Sequence, residues 1–174
     1  VEVRYYGELY VESGGSLTNS NYVNVTDSAT LYVYGDMLNQ SSLYIAGSGQ
    51  VYVENGGTLT VDGYVQVEYY STLTMSYGGS LIVRPYGSVD AYYDGTIYFD
   101  YQSRIDLFGS FRLYYDAYLY LGSEAIVRVL RGMDISGQMD SGGGKFVMLR
   151  RDGRMLAFVH APGIVAGSVP EAAD

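Results

Sequence analysis

The fold this sequence predicts is all-β: a parallel β-solenoid of three short strands per coil of about 22 residues, about six coils in all. Three observations lead there. Pairs of apolar residues separated by one position recur at a nearly fixed interval. Clusters of Gly, Ser, Asn and Asp stand between them, as tight turns require. The 174 residues are also rich in Gly (23) and Tyr (21) and poor in Pro (3), which suits many short strands joined by bends.

The pairs fall into three series. The first reads Leu9/Val11, Leu31/Val33, Val51/Val53, Leu73/Met75, Ile97/Phe99 and Leu119/Leu121, with steps of 22, 20, 22, 24 and 22. The second reads Val1/Val3, Val23/Val25, Leu43/Ile45, Val65/Val67, Val89/Ala91 and Phe111/Leu113. A looser third reads Leu17, Leu38, Leu59/Val61, Leu81/Val83 and Ile105/Leu107. Each pair flanks one residue that must face out, which is the period-two alternation of a strand. Three strands and three bends close one coil, and six coils stacked at roughly 4.8 Å would rise roughly 29 Å. The crossover rule for parallel strands favours a right-handed coil. An antiparallel sandwich also has strands at about 8–12-residue spacing, but it has no reason to return to one register every coil.

Outward positions carry the tyrosines. The middle residues of the first series are Tyr10, Tyr32, Tyr52, Thr74, Tyr98 and Tyr120, so stacking should set five rings along one face as a lateral contact surface. Tyr5, Tyr6, Tyr69, Tyr70, Tyr92, Tyr93, Tyr114 and Tyr115 form a second set, expected at one corner. Tyr suits strands and ladders in its own right. It also supplies stiff, amphipathic area for a partner, either another fibre or a sugar ring.

The repeat weakens near Ile126, which divides a tyrosine-rich solenoid (1–125) from a C-terminal segment (126–174). The solenoid holds 14 acids and 4 bases, a net of −10; the C-terminal segment holds 5 acids and 6 bases, a net of +1. Ile126, Met133/Ile135 and Phe146 are placed in an irregular last coil. A Ser141-Gly-Gly-Gly144 joint follows, then two apolar runs around Asp152-Gly153, a strong hairpin signal over 145–160. That pairing would set Leu149 opposite Leu156 and Val147 opposite Phe158. The hairpin either caps its own chain or is donated to a neighbour. In the second case Phe146, Met148, Leu149, Leu156 and Phe158 would meet Val1 and Val3 of another copy, and subunits would stack head to tail. Val1 already lies in a core register, and no signal peptide precedes it, as expected of a mature or trimmed chain.

Several function classes find no support in the residues. There is no Cys, and His160 is the single histidine, so neither a thiolate or histidine metal cluster nor a Ser-His-Asp triad can be assembled. Asp90, Asp106 and Arg112 are the candidates for carboxylate chemistry, but they fall in different registers, and an enzyme is not expected. No phosphate loop or dinucleotide motif occurs: the Gly pairs at 14–15, 56–57 and 78–79 read as repeat turns. No cofactor is implied. The net charge of −9 speaks against nucleic acid. No apolar run is long enough to span a membrane. Asn24-Val-Thr26 and Asn39-Gln-Ser41 are glycosylation sequons, with both asparagines expected on outward or turn positions.

The rungs Gly14-Gly-Ser-Leu-Thr-Asn, Gly56-Gly-Thr-Leu-Thr-Val and Gly78-Gly-Ser-Leu-Ile-Val resemble those of bacterial autotransporter passengers and related surface adhesins. That resemblance implies export and display at a cell surface for adhesion, aggregation or fibre building. In architecture alone the chain is also similar to bactofilin-like filaments. The expectation is therefore a structural subunit of an extracellular or surface fibre, its partners being copies of itself. The alternative is a monomeric adhesin or glycan-binding module.

Overall fold

The computed structural model describes residues 1–130, 133–135, 138–142, 145–149, 155–160, 163–164 and 167–169. They form strands and turns, with no helix among them. The chain winds as a parallel β-solenoid with three sheets, here called A, B and C. The first coil comprises β1 (Glu2–Val3), β2 (Glu8–Val11) and β3 (Ser16–Asn19), one strand in each sheet. Next come β4 (Tyr22–Val25), β5 (Thr30–Val33) and β6 (Asp36–Asn39), then β7 (Ser42–Ile45), β8 (Gln50–Val53) and β9 (Thr58–Val61). The fourth coil is β10 (Tyr64–Val67), β11 (Thr72–Met75) and β12 (Ser80–Val83), and the fifth β13 (Ser88–Ala91), β14 (Thr96–Phe99) and β15 (Arg104–Leu107). The sixth is β16 (Ser110–Leu113), β17 (Tyr118–Leu121) and β18 (Ile126–Val129).

The spacing of the repeat follows from its corners. Four-residue strands are joined by four residues from A to B, four from B to C and two from C to A. The step of 20 arises where the B-to-C corner shrinks to Tyr34-Gly35, and the step of 24 where the C-to-A corner grows to Arg84-Pro85-Tyr86-Gly87. Length varies only in turns, because any change within a strand would invert every inward side chain beyond it.

Inward residues of the three sheets merge into one apolar core, in which nearly all are fully buried. Phe99 and Phe111 meet across it with ring centroids 5.8 Å apart. The third series needs one correction, and the placing of Ile126 in the last coil a second. Leu17 pairs with Met37 and then Leu59, so Met37 is the buried residue and Leu38 faces out. The next inward pair after Ile105/Leu107 is Val127/Val129, while Ile126 faces solvent at 43% exposure. Both errors are one-residue slips, made where two adjacent residues are apolar and alternation gives no guide.

Asn39 also departs from expectation. It ends β6 in the inward column that Val61 and Val83 fill on later rungs, and it is fully buried. Its Nδ2 donates to the carbonyls of Ser41 (3.2 Å) and Tyr64 (2.9 Å), and its Oδ1 accepts from Asn19 Nδ2 at 2.6 Å. The amide thus satisfies the backbone of the tight two-residue corner. A glycan cannot be attached to this nitrogen while the corner is intact. Asn24 keeps its expected place on the outer face of sheet A, half-buried.

Parallel pairing continues beyond residue 125. A seventh coil of β19 (Met133–Ile135), β20 (Gln138–Ser141) and β21 (Lys145–Leu149) pairs in register with β16, β17 and β18. The chain then reverses. β22 (Met155–His160) lies antiparallel on β21, β23 (Gly163–Ile164) on β20 and β24 (Gly167–Val169) on β19. One coil wound backwards therefore closes all three sheets on the chain's own last forward coil. Val147 faces Phe158 as expected, but an irregular step after Met148 sets Leu149 against Met155 rather than Leu156. The Asp152-Gly153 turn and the side chains of Phe146, Met148, Leu149, Leu156, Phe158 and His160 lie outside the described residues.

Candidate functional site

The tyrosines are not spread evenly around the solenoid. Of the 21, three project from sheet A, six from sheet B and eight from the corner between them; the other four lie at the remaining corners. Sheet C has none. Its outward columns run Ser16, Asp36, Thr58, Ser80, Arg104, Ile126 and Thr18, Leu38, Thr60, Ile82, Asp106, Arg128. The rod has an aromatic side, a segregation legible in the outward residues of the third series and lost when each tyrosine series is read by itself.

On sheet B, Tyr10, Tyr32 and Tyr52 stack with centroids 5.0 and 5.6 Å apart, both pairs at 15°. Tyr34 joins them beside Tyr32 at 6.3 Å. Thr74 interrupts the column, and Tyr98 and Tyr120 resume it as a tilted pair at 6.1 Å. The ring of Tyr10 is held by its hydroxyl, which donates to Glu8 at 2.7 Å. That bond to a carboxylate, with lesser help from desolvation, pushes Tyr10 up to about 12.

The corner between A and B is where the backbone is least at ease. In five of the first six rungs the turn there has a backbone hydrogen bond from the fourth residue back to the first, as in Gly7 N to Arg4 O (2.9 Å) and Gly95 N to Tyr92 O (2.8 Å). In the 68–71 turn the Ser71 hydroxyl donates to Glu68 O at 2.6 Å instead. Tyr5 and Tyr6 have φ of 53° and 62°, and Tyr69 and Tyr70 repeat those values. Positive φ at both central residues is the type I′ arrangement, which Asn-Gly fits and a bulky side chain does not. Left-handed geometry costs an L-residue roughly 1–2 kcal/mol. Even so, Tyr5, Tyr6, Tyr70 and Tyr115 stand in these tips, exposed to between 62% and 81%.

The expected corner cluster separates into columns. Tyr69, Tyr93 and Tyr115 stack at 5.5 and 4.9 Å, within 7° of parallel. Tyr92 and Tyr114 form a neighbouring column at 4.9 Å, with the guanidinium of Arg112 5.9 Å from the Tyr114 ring. Tyr5 and Tyr6 sit on the first coil, separated from the rest by Asp27-Ser28 and Gly47-Ser48. The structure thus unites five of the eight and sets two well apart.

Beneath the tyrosines, sheet A carries buried charge. Asp90 faces outward but is 1% exposed, covered by its neighbours. Arg112 grips it twice, Nε to Oδ1 at 2.8 Å and Nη2 to Oδ2 at 2.6 Å, and Tyr92 donates to it at 3.2 Å. Burial, with bonds to Tyr92 and Asp90, pushes Tyr64 well above the ordinary phenol range. One rung earlier, the buried carboxylate of Glu68 accepts from Tyr44 and from Gln66 Nε2 (2.7 Å). Desolvation first, and that bond second, push Tyr44 up to about 12.

Asp106, the other carboxylate singled out by sequence, lies on sheet C. Arg128 holds it with two bonds, and Arg104 lies 3.6 Å away. Those arginines and Ile126 line an open cleft of about 700 Å³. Asp90 and Asp106 therefore sit on different faces, as their different registers imply. Asp90 and Arg112, however, share one register and stand directly opposite each other on sheet A. Each carboxylate is engaged by an arginine from the next rung. Among the described residues no group of three or more His, Cys, Asp or Glu gathers as a metal site, and no helix is long and apolar enough to cross a membrane.

No protein-family model and no curated protein matches this chain. Among solved structures, a TibC-catalysed, hyper-glycosylated fragment of TibA (residues 55–350) is similar at 17% identity. It covers 86% of this chain and 81% of that one, with a TM-score of 0.16. A score that low carries nothing across.

Proposed function

We propose that this chain is a non-catalytic structural rod of an extracellular or cell-surface fibre, associating with copies of itself through its tyrosine side. The confinement of tyrosine to sheets A and B and their corners carries this assignment. If the residue served only strand propensity and ladder stacking, sheet C would offer the same positions. Exposed aromatic area gathered on one side is instead what a contact surface needs. Tyrosines held in left-handed tips cost conformational energy, as groups retained for a task other than folding often do. Asp90 and Asp106 are consumed in ion pairs, which favours a structural role over catalysis.

Head-to-tail growth belongs to the same proposal. With β22, β23 and β24 paired on their own chain, growth at that end would use the outer edges of those strands, on which no described strand pairs, rather than donation of the hairpin. Tyr5→Asn, Tyr6→Gly and Tyr70→Gly together should leave stability at or above that of the parent, since each relieves a strained tip. Sedimentation velocity should show weaker self-association. Association at parental strength would remove the tyrosine side from the contact, and deletion of 145–174 separately reports on end-to-end growth. A glycan-binding adhesin is the second reading, favoured by Tyr5, Tyr6 and Tyr70, which stack on no other described ring and so keep faces free for sugar rings. Saturable sugar binding by a monodisperse monomer would support it.

A further inference from the structure

The stacked column Tyr69–Tyr93–Tyr115 has a property the self-association reading does not use. Parallel strands fix these phenols one rung apart, with centroids 5.5 and 4.9 Å apart and planes within 7°. Stacking covers ring faces, yet the three residues remain 44% to 62% exposed. Each sits at a turn tip rather than within a strand, so its ring can swing without breaking ladder hydrogen bonds.

Other pairs lack this combination. Tyr77 and Tyr101, stacked at 5.4 Å on the corner between sheets B and C, come nearest, but their planes diverge by 21° and the Tyr101 hydroxyl accepts a hydrogen bond from Gln102 at 3.3 Å. Tyr92 is tied to Asp90, and Tyr114 lies beside the Arg112 cation, which opposes removal of an electron from the ring. Tyr32 and Tyr52 are half-buried within strand positions. Tyr86 is 95% exposed, but no described ring stacks on it.

We propose that Tyr93 and Tyr115 are a site of oxidative cross-linking that staples the fifth coil to the sixth as an ortho–ortho dityrosine. The oxidant is hydrogen peroxide acting through a haem peroxidase. Each phenol loses one electron and one proton to give a tyrosyl radical. The two radicals join through their ortho carbons, and the hydrogen on each of those carbons moves to its own oxygen, restoring both phenols. One peroxide takes up the two electrons and two protons and leaves as two waters. The staple forms within one chain and does not depend on self-association.

The test treats dilute, monomeric full-length protein with peroxidase and hydrogen peroxide, then digests it with trypsin. Cleavage at Arg104 and Arg112 places Tyr93 and Tyr115 on separate peptides, which should remain joined and weigh two hydrogens less than their sum. Dityrosine fluorescence should appear in material that still runs as a monomer under denaturing conditions. Tyr93→Phe and Tyr115→Phe keep the stack and should each abolish the joined peptide, while Tyr86→Phe should retain it. The proposal fails if coupling yields only covalent dimers that increase with protein concentration. It also fails if the joined peptide survives either ladder substitution, or if no dityrosine forms in a chain that remains folded.

Discussion

Arg112→Ala should destabilise this protein more than Asp90→Ala, although both break the same ion pair. Asp90 is almost wholly buried, whereas the Arg112 side chain is 39% exposed. Removing the arginine strands a carboxylate under the tyrosine layer, still bonded by the Tyr92 hydroxyl. Breaking a buried pair in that sense costs about 3–5 kcal/mol, and the residual bond from Tyr92 places this case near the lower figure. Removing the aspartate leaves a guanidinium that can turn to water, at a cost of about 1–2 kcal/mol. The difference, about 1.5 kcal/mol, is roughly tenfold in the folding equilibrium. Urea unfolding followed by circular dichroism and tyrosine fluorescence measures it, since the chain has no Trp. Equal losses, or a larger loss for Asp90→Ala, would refute the idea that the carboxylate rather than the arginine is the buried partner. A changed urea slope would instead point to altered cooperativity, and the comparison then moves to Asp90→Asn.

Two further outcomes are open to direct measurement. Gly56 and Gly57 are adjacent, yet Ala should fail at them for different reasons: Gly56 has φ +83° with open space around it, so Gly56→Ala should cost roughly 1–2 kcal/mol of left-handed strain. A Cβ on Gly57 would stand 2.1 Å from the Val33 carbonyl of the rung below, so Gly57→Ala must push neighbouring rungs apart and should cost more, as unfolding midpoints will show. Alkali should also loosen sheet A. The folded-state value of Tyr44 is raised from 10 to about 12, so it contributes stability that is complete below about pH 10 and is lost as pH climbs through 12. Tyr44→Phe should flatten that region of the stability–pH curve, measured with ultraviolet titration of the phenols.

The period, three-sheet architecture and most inward residues were readable because a solenoid repeats one decision many times. A buried face one coil long is ambiguous, but six in register are not. Single positions stayed illegible where the repeat offers no redundancy. Met37 and Leu38 are both apolar, so hydropathy does not decide between them, and only the pairing of Leu17 with Met37 does. Asn39 reads as a sequon because Asn belongs in turns; besides the local Ser41 carbonyl, its buried amide depends on Asn19 and Tyr64, distant groups that come together with it only on folding. Asp90 is legible as an outward residue, but its cover of tyrosine and arginine comes from the rungs on either side. The reversed last coil was half legible: Asp152-Gly153 announced a hairpin, while nothing local announced that the tail would run back across sheets B and A.

Segregation of tyrosine carries weight as a sign of contact only if sheet C could have borne tyrosines too, and that can be tested on its own. Thr18, Leu38 and Thr60 occupy consecutive rungs of one outward column on sheet C. They stand to that sheet as Tyr10, Tyr32 and Tyr52 stand to sheet B. Thr18→Tyr, Leu38→Tyr and Thr60→Tyr together should build an equivalent stack. Cross-strand aromatic pairs contribute roughly 0.2–1 kcal/mol each, so stability should hold or rise slightly. In that event the bare face of sheet C is not imposed by folding, and the aromatic side answers to something outside the chain. The transplanted stack should also give the rod a second adhesive side, seen as larger species in sedimentation. A loss of more than about 2 kcal/mol would mean that sheet C excludes large rings for packing reasons, and the one-sidedness would then follow from the fold itself.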